Sequence, residues 1–127
     1  MKIDHLALYV EDLEAARAFF ERYFGATANA RYHNPRTGLM TYFLAFGGEA
    51  RLELMTRPDM ALDEKKPMRT GYAHLSFSVG SREEVDRLTA RLSDDGYPTL
   101  SGPRVTGDGY YESVVSGPEG NLIEITE

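Results

Sequence analysis

The sequence has no cysteine and no tryptophan. Without cysteine there is no disulfide and no thiolate chemistry, so any bound metal must rest on imidazole and carboxylate groups. Basic charge is also scarce: 14 Lys and Arg against 20 Asp and Glu give a net charge of −6. That balance argues against the basic face a nucleic-acid partner requires. No apolar run approaches the roughly 20 residues of a membrane span. The chain enters a strand pattern at Ile3, which leaves no stretch for a secretory leader, and a cytoplasmic location is the expectation. Low-complexity tracts and charge blocks are absent too. With 42% hydrophobic and 11% aromatic residues, 127 residues suffice for one packed domain, or for two half-size modules too small to be stable apart.

What the sequence does contain is a repeat. Asp4-His5-Leu6-Ala7-Leu8-Tyr9-Val10 and Ala73-His74-Leu75-Ser76-Phe77-Ser78-Val79 each lead into a helical pattern, with the two histidines 69 residues apart. Toward the far end of each half an acidic residue lies between aliphatics, Leu52-Glu53-Leu54 and Ile123-Glu124-Ile125, at an offset of 71. Self-similarity of this kind outranks any single motif as a guide to organisation.

The pattern predicts βαβββ in each half. In the first, strand Ile3–Val10 precedes a helix over about 12–24, capped by Asp12, striped by Leu13, Ala16, Phe20 and Phe24, and stopped by Gly25. Strands at Ala26–Tyr32, Leu39–Phe46 and Arg51–Thr56 follow, separated by turns at 34–38 and 47–49. The second half predicts a strand over Tyr72–Val79 and a helix over about 81–95 opened by a Ser81/Glu84 capping box and closed at Gly96. Strands at Tyr97–Ser101, Tyr110–Ser116 and Asn121–Glu127 complete it, divided by Gly102-Pro103 and by 117–120. The fold class expected is α+β: a single domain of two tandem βαβββ modules, about 1–57 and 71–127 with a linker at about 58–70. The modules form a cup-shaped mixed sheet with helices outside.

Strand alternation puts His5 on the face opposite Leu6, Leu8 and Val10, and His74 opposite Leu75, Phe77 and Val79. Glu53 and Glu124 likewise project away from their aliphatic neighbours. A lone strand His or Glu is ordinarily solvated, and the weight comes from four such residues at repeat-related positions on the faces turned from the helices. His5, Glu53, His74 and Glu124 are therefore the candidate metal ligands, of a type suited to Zn, Ni or Co ahead of Mn and Fe(II). The competing reading is a metal-free polar cluster. His33 is expected in a loop, and Tyr42 and Phe46 mostly as core. Arg51 and Met55 are expected on the face of Glu53, Arg51 there to meet either an anionic substrate or a neighbouring carboxylate.

These residues together resemble the vicinal oxygen chelate superfamily of glyoxalase I, fosfomycin-resistance proteins, extradiol dioxygenases and bleomycin-binding proteins. The likeness spans the whole chain and rests on His5-x-Ala-Leu-x-Val-x-Asp12, Gly71-Tyr-x-His74 and Gly117-Pro-Glu-Gly-Asn-Leu-Ile-Glu124, where Gly117 replaces an Asp. The complete His-Glu-His-Glu set is most like bacterial glyoxalase I (lactoylglutathione lyase). The resemblance implies a metal-dependent lyase or isomerase working by proton transfer on a small vicinal-oxygen substrate, such as a methylglyoxal–thiol hemithioacetal. Glu124, joined by Glu53, would be the catalytic carboxylate. It also implies a homodimer whose sites take residues from both subunits. Tyr9 and Arg57 stand where glutathione-using members carry Arg and Asn, so the thiol stays open. The alternatives are a metal-free drug-binding module of bleomycin-resistance type, and a three-ligand transferase or dioxygenase using His5, His74 and Glu124.

Overall fold

The structure, a computed structural model, describes residues 1–62 and 70–127. It divides into two compact units, Met1–Asp63 and Glu64–Glu127. The linker expected at about 58–70 falls largely on residues 63–69, outside the described residues.

In the first unit, strand β1 (His5–Tyr9) leads to helix α1 (Leu13–Phe24). The short strands β2 (Thr27–Ala28) and β3 (Tyr32–His33) precede β4 (Met40–Ala45) and β5 (Arg51–Thr56). The sheet order is β1-β5-β4-β2, with β3 also on β4, and the first strand lies parallel to the last. The helix begins where its sequence says it should. Asp12 Oδ1 accepts the Ala15 amide at 2.9 Å, and Gly25 ends the helix at a φ of 63°, in the left-handed region that glycine enters without strain. Leu13, Ala16, Phe19 and Phe20 bury against Tyr42, Leu44, Leu52 and Leu54, so one sheet face carries the core and the other is left for chemistry.

The strand expected at Ala26–Tyr32 is two short ones instead. Asn29 Oδ1 accepts the Phe43 amide at 2.8 Å while the Asn29 amide donates to the Phe43 carbonyl at 3.1 Å. A side chain thus takes over part of the ladder and interrupts the strand. His33, expected in a loop, is in the short exposed strand opposite Met40.

The second unit repeats the plan with β6 (Leu75–Ser78), α2 (Arg82–Asp94), β7 (Thr99–Val105), β8 (Tyr111–Ser116) and β9 (Leu122–Thr126), in sheet order β6-β9-β8-β7. Again the first strand is parallel to the last. Val85, Leu88 and Leu92 bury against Val115, Ile123 and Ile125. The polar Thr89 and Ser113 enter this core as a mutually satisfied pair, hydroxyl to hydroxyl at 2.6 Å. Half of the expected capping box forms. Ser81 Oγ accepts the Glu84 amide at 3.3 Å, whereas the Glu84 carboxylate turns to Arg87 at 3.1 Å.

Gly102-Pro103, expected to end a strand, lies inside β7 instead. The pairing of β7 with β8 slips between Thr99 and Ser101 and again between Ser101 and Arg104, so the strand passes the proline by bulging, as an edge strand permits. Gly102 has a φ of 76°, and a Cβ there would fall 2.4 Å from the Glu112 carbonyl oxygen. The slip places Arg104 opposite Glu112.

Candidate metal centre

Each unit brings one histidine and one glutamate together on the sheet face turned from its helix. In the first unit, Glu53 on β5 lies between Ala7 of β1 and Phe43 of β4. The parallel register sets His5 opposite Arg51, one ladder step from Glu53. His5 Nε2 comes within 3.7 Å of Glu53 Oε2. The glutamate side chain is 17% exposed and the histidine 39%, so the carboxylate sits at the floor and the imidazole at the rim. Phe43 meets the His5 ring edge-on at 5.3 Å.

The other imidazole nitrogen is held. His5 Nδ1 is 2.8 Å from Asp4 Oδ2, and Arg51 Nη2 donates to the same oxygen at 2.7 Å. With these two donors Asp4 is kept ionised: the His5 hydrogen bond first, and then Arg51, pull its carboxyl below the usual value. An ionised Asp4 accepts only, so Nδ1 donates to it and Nε2 is the ring nitrogen turned toward Glu53. Arg51, expected to meet either a substrate anion or a neighbouring carboxylate, does the latter, with its guanidinium 4.6 Å from the Phe43 ring centre.

In the second unit, Glu124 on β9 lies between Ser76 of β6 and Val114 of β8. His74 stands one residue before β6, and its Nε2 is 3.4 Å from Glu124 Oε2. Exposure repeats the first unit, 16% for the glutamate and 39% for the histidine. The bracing differs: Ser76 Oγ donates to Glu124 Oε1 at 2.6 Å, and Ala73 occupies the place of Asp4. The first unit thus fixes its histidine and the second its glutamate.

Metal–nitrogen and metal–oxygen bonds of about 2.0–2.2 Å set neighbouring ligand atoms about 3–3.5 Å apart. The 3.4 Å pair falls in that range and the 3.7 Å pair just above it, while both are long for a good hydrogen bond. The donor set fits a divalent ion. Among the described residues, no three His, Asp or Glu side chains are gathered as one metal-holding group, so the four expected ligands occur as two pairs.

Of the other singled-out residues, Met55 shares the Glu53 face, half-buried. Tyr42 points the other way, its hydroxyl donating to Glu14 Oε1 on α1 at 2.9 Å. Phe46 packs against Phe20 of the core at 6.2 Å. Sequence reasoning missed Asp4, Ser76 and Phe43. Parity offered a signal for Ser76, which shares the face of His74. Asp4 offered only its place beside a candidate ligand.

A family model described as the Glyoxalase/Bleomycin resistance protein/Dioxygenase superfamily matches residues 2–125. Uncharacterized protein YqjT of Bacillus subtilis (strain 168) is 27% identical over 128 residues, 95% of this chain and 94% of that protein. A solved lactoylglutathione lyase from Agrobacterium tumefaciens is 26% identical at a TM-score of 0.69, covering 99% of this chain and 92% of that one. A glyoxalase family protein from Bacillus cereus reaches a TM-score of 0.86 at 22% identity, over 100% of this chain and 93% of its own, a likeness of fold. No helix among the described residues is long and apolar enough to cross a membrane.

Proposed function

The chain belongs to the Glyoxalase/Bleomycin resistance protein/Dioxygenase superfamily, and on that footing we propose that it is a metal-dependent lyase or isomerase that moves a proton between adjacent carbons of a small vicinal-oxygen substrate. One observation carries the reading: two repeat-related His–Glu pairs, each with Nε2 and Oε2 atoms 3.4–3.7 Å apart on the face turned from the helix. Sequestration of a drug would need neither pair.

In this reading His5, Glu53, His74 and Glu124 hold one divalent ion of the Zn, Ni or Co type. When bound, it supplies Lewis acidity that stabilises negative charge developing on the vicinal oxygens of the substrate. His5 serves as a neutral ligand because Asp4 secures its tautomer. Glu124 accepts the proton from one carbon and returns it to the next, with Glu53 placed to share that work from the other pair. Ser76 restrains the Glu124 carboxylate and leaves Oε2 as its free oxygen.

A hemithioacetal of methylglyoxal and a thiol is the substrate to try first, with several thiols. Arg57 is paired with Asp59, its Nη2 donating to Asp59 Oδ2 at 2.8 Å, and neither Tyr9 nor Arg57 is the residue of the glutathione-using members. Metal analysis of the purified protein tests the reading. Zinc, nickel or cobalt near one ion per site supports it. Iron at that level would favour a three-ligand dioxygenase using His5, His74 and Glu124, and a protein that takes up no metal would favour the ligand-binding module.

A further inference from the structure

The His5 imidazole stands in a closed circuit of side chains. Its Nδ1 is 2.8 Å from Asp4 Oδ2, and Arg51 Nη2 donates to that same oxygen at 2.7 Å. The Arg51 guanidinium lies 4.6 Å from the centre of the Phe43 ring, and Phe43 returns to His5 edge-on at 5.3 Å. The backbone supports the circuit, because the Arg51 amide donates to the Asp4 carbonyl at 3.0 Å. Parallel pairing sets Arg51 opposite His5, and Phe43 lies opposite Glu53 on the next strand.

The fold does not demand this circuit. Offsets of 69 and 71 relate the two histidines and the two glutamates. They place Ala73, Leu122 and Val114 where the first unit has Asp4, Arg51 and Phe43. Those side chains neither donate nor accept hydrogen bonds, yet Glu124 keeps the register of Glu53, between Ser76 and Val114. Stability does not explain the circuit either. The Arg51 and Asp4 side chains are 41% and 62% exposed, and an ion pair so open to water adds little to folding.

Electrostatics sharpens the question. A guanidinium opposite a candidate ligand, on the face of Glu53, repels a divalent ion. Its place there needs a gain that outweighs the repulsion. A partner behind a ligating imidazole sets the angle of the ring, and such partners affect metal affinity strongly without touching the ion. Asp4 is that partner, but alone it is an exposed side chain free to turn into water. Arg51 holds it in place, and Phe43 holds Arg51, whose planar guanidinium can face an aromatic ring and reach a carboxylate at once.

Resting on the metal-dependent reading above, we infer that Arg51 is a positioning residue, which acts through Asp4 to hold the His5 ring ready for the ion. A guanidinium has no lone pair to give a metal, so its action is indirect.

The test is the affinity of chelator-stripped protein for zinc and for nickel, each alone, by competition with a chelating dye. About 1 M salt, where the Debye length is about 3 Å, screens the charge of the guanidinium itself. Arg51→Leu installs the residue of the second unit and should weaken binding by about 10-fold. The double variant Asp4→Ala/Arg51→Leu should bind no worse than Asp4→Ala, because Arg51 then has nothing to act through. Arg51→Ala takes the place of Arg51→Leu in both if circular dichroism shows the leucine variant unfolded. An affinity unchanged or raised by the loss of Arg51, or losses that add in the double variant, would overturn the inference and leave the reaction assignment standing. Wild type that binds neither metal would remove the assignment and the inference together.

Discussion

Asp4 Oδ2 accepts a hydrogen bond from His5 Nδ1 at 2.8 Å and is itself held by Arg51 at 2.7 Å. A carboxylate behind a ligating imidazole fixes its tautomer and raises its basicity, and losing one commonly costs about 10–100-fold in metal affinity. Asp4→Ala is expected to weaken divalent metal binding by about that factor with little change in the circular dichroism of the fold. Competition against a chelating dye measures it, and an unchanged affinity would show that His5 needs no such support.

The Glu14–Tyr42 hydrogen bond, 2.9 Å, ties α1 to the core side of the first sheet. Tyr42 above all, with Arg17 and Arg31, lowers the Glu14 carboxyl below its ordinary value, against the effect of burial. A carboxylate whose folded value is depressed adds stability above its unfolded value, near 4.5, and loses it as pH falls through the folded one. Glu14→Gln should therefore lower stability at pH 7 by on the order of 1 kcal/mol, a charged hydrogen bond discounted for a side chain open to solvent. Below pH 3 wild type and variant should converge. Urea denaturation at the two pH values checks this, and an equal deficit at both would remove the charge from the explanation.

Much of this arrangement was legible in the sequence. The helix limits followed from Asp12, Gly25 and Ser81, because caps are local chemistry. The shared face of each His and Glu followed from strand parity, which needs no knowledge of the neighbours. What stayed hidden depends on partners far along the chain. The break at Asn29 arises from Phe43, and the passage of β7 through Pro103 arises from a slip against β8. Asp4 gained a role only when Arg51 was brought beside it.

The resemblance predicts a homodimer in which each site takes His5 and Glu53 from one chain and His74 and Glu124 from its partner. An isologous pair is also the commonest closed assembly for a small protein. Light scattering coupled to size exclusion should give twice the monomer mass at micromolar concentration. A monomer mass that persists in the metal-loaded protein would refute shared sites.

The pairs also predict a coupling between metal and stability, because an ion bound only by the folded state stabilises it by mass action. Glu53→Gln and His74→Ala should each reduce metal occupancy and erase the rise in melting temperature that added metal gives the wild type. If each of His5, Glu53, His74 and Glu124 is replaced in turn with no loss of metal, the ion is held elsewhere.

The most direct test of the central claim is the turnover of a methylglyoxal–thiol hemithioacetal by chelator-stripped protein before and after one divalent ion per site is restored, in the wild type and in Glu124→Gln. The account predicts no turnover when stripped, recovery with nickel, cobalt or zinc, and a fall of about 100-fold or more in kcat for Glu124→Gln with a much smaller change in KM, since an amide cannot take up the proton. Equal turnover with and without metal, or a Glu124→Gln variant as fast as the wild type, would contradict it.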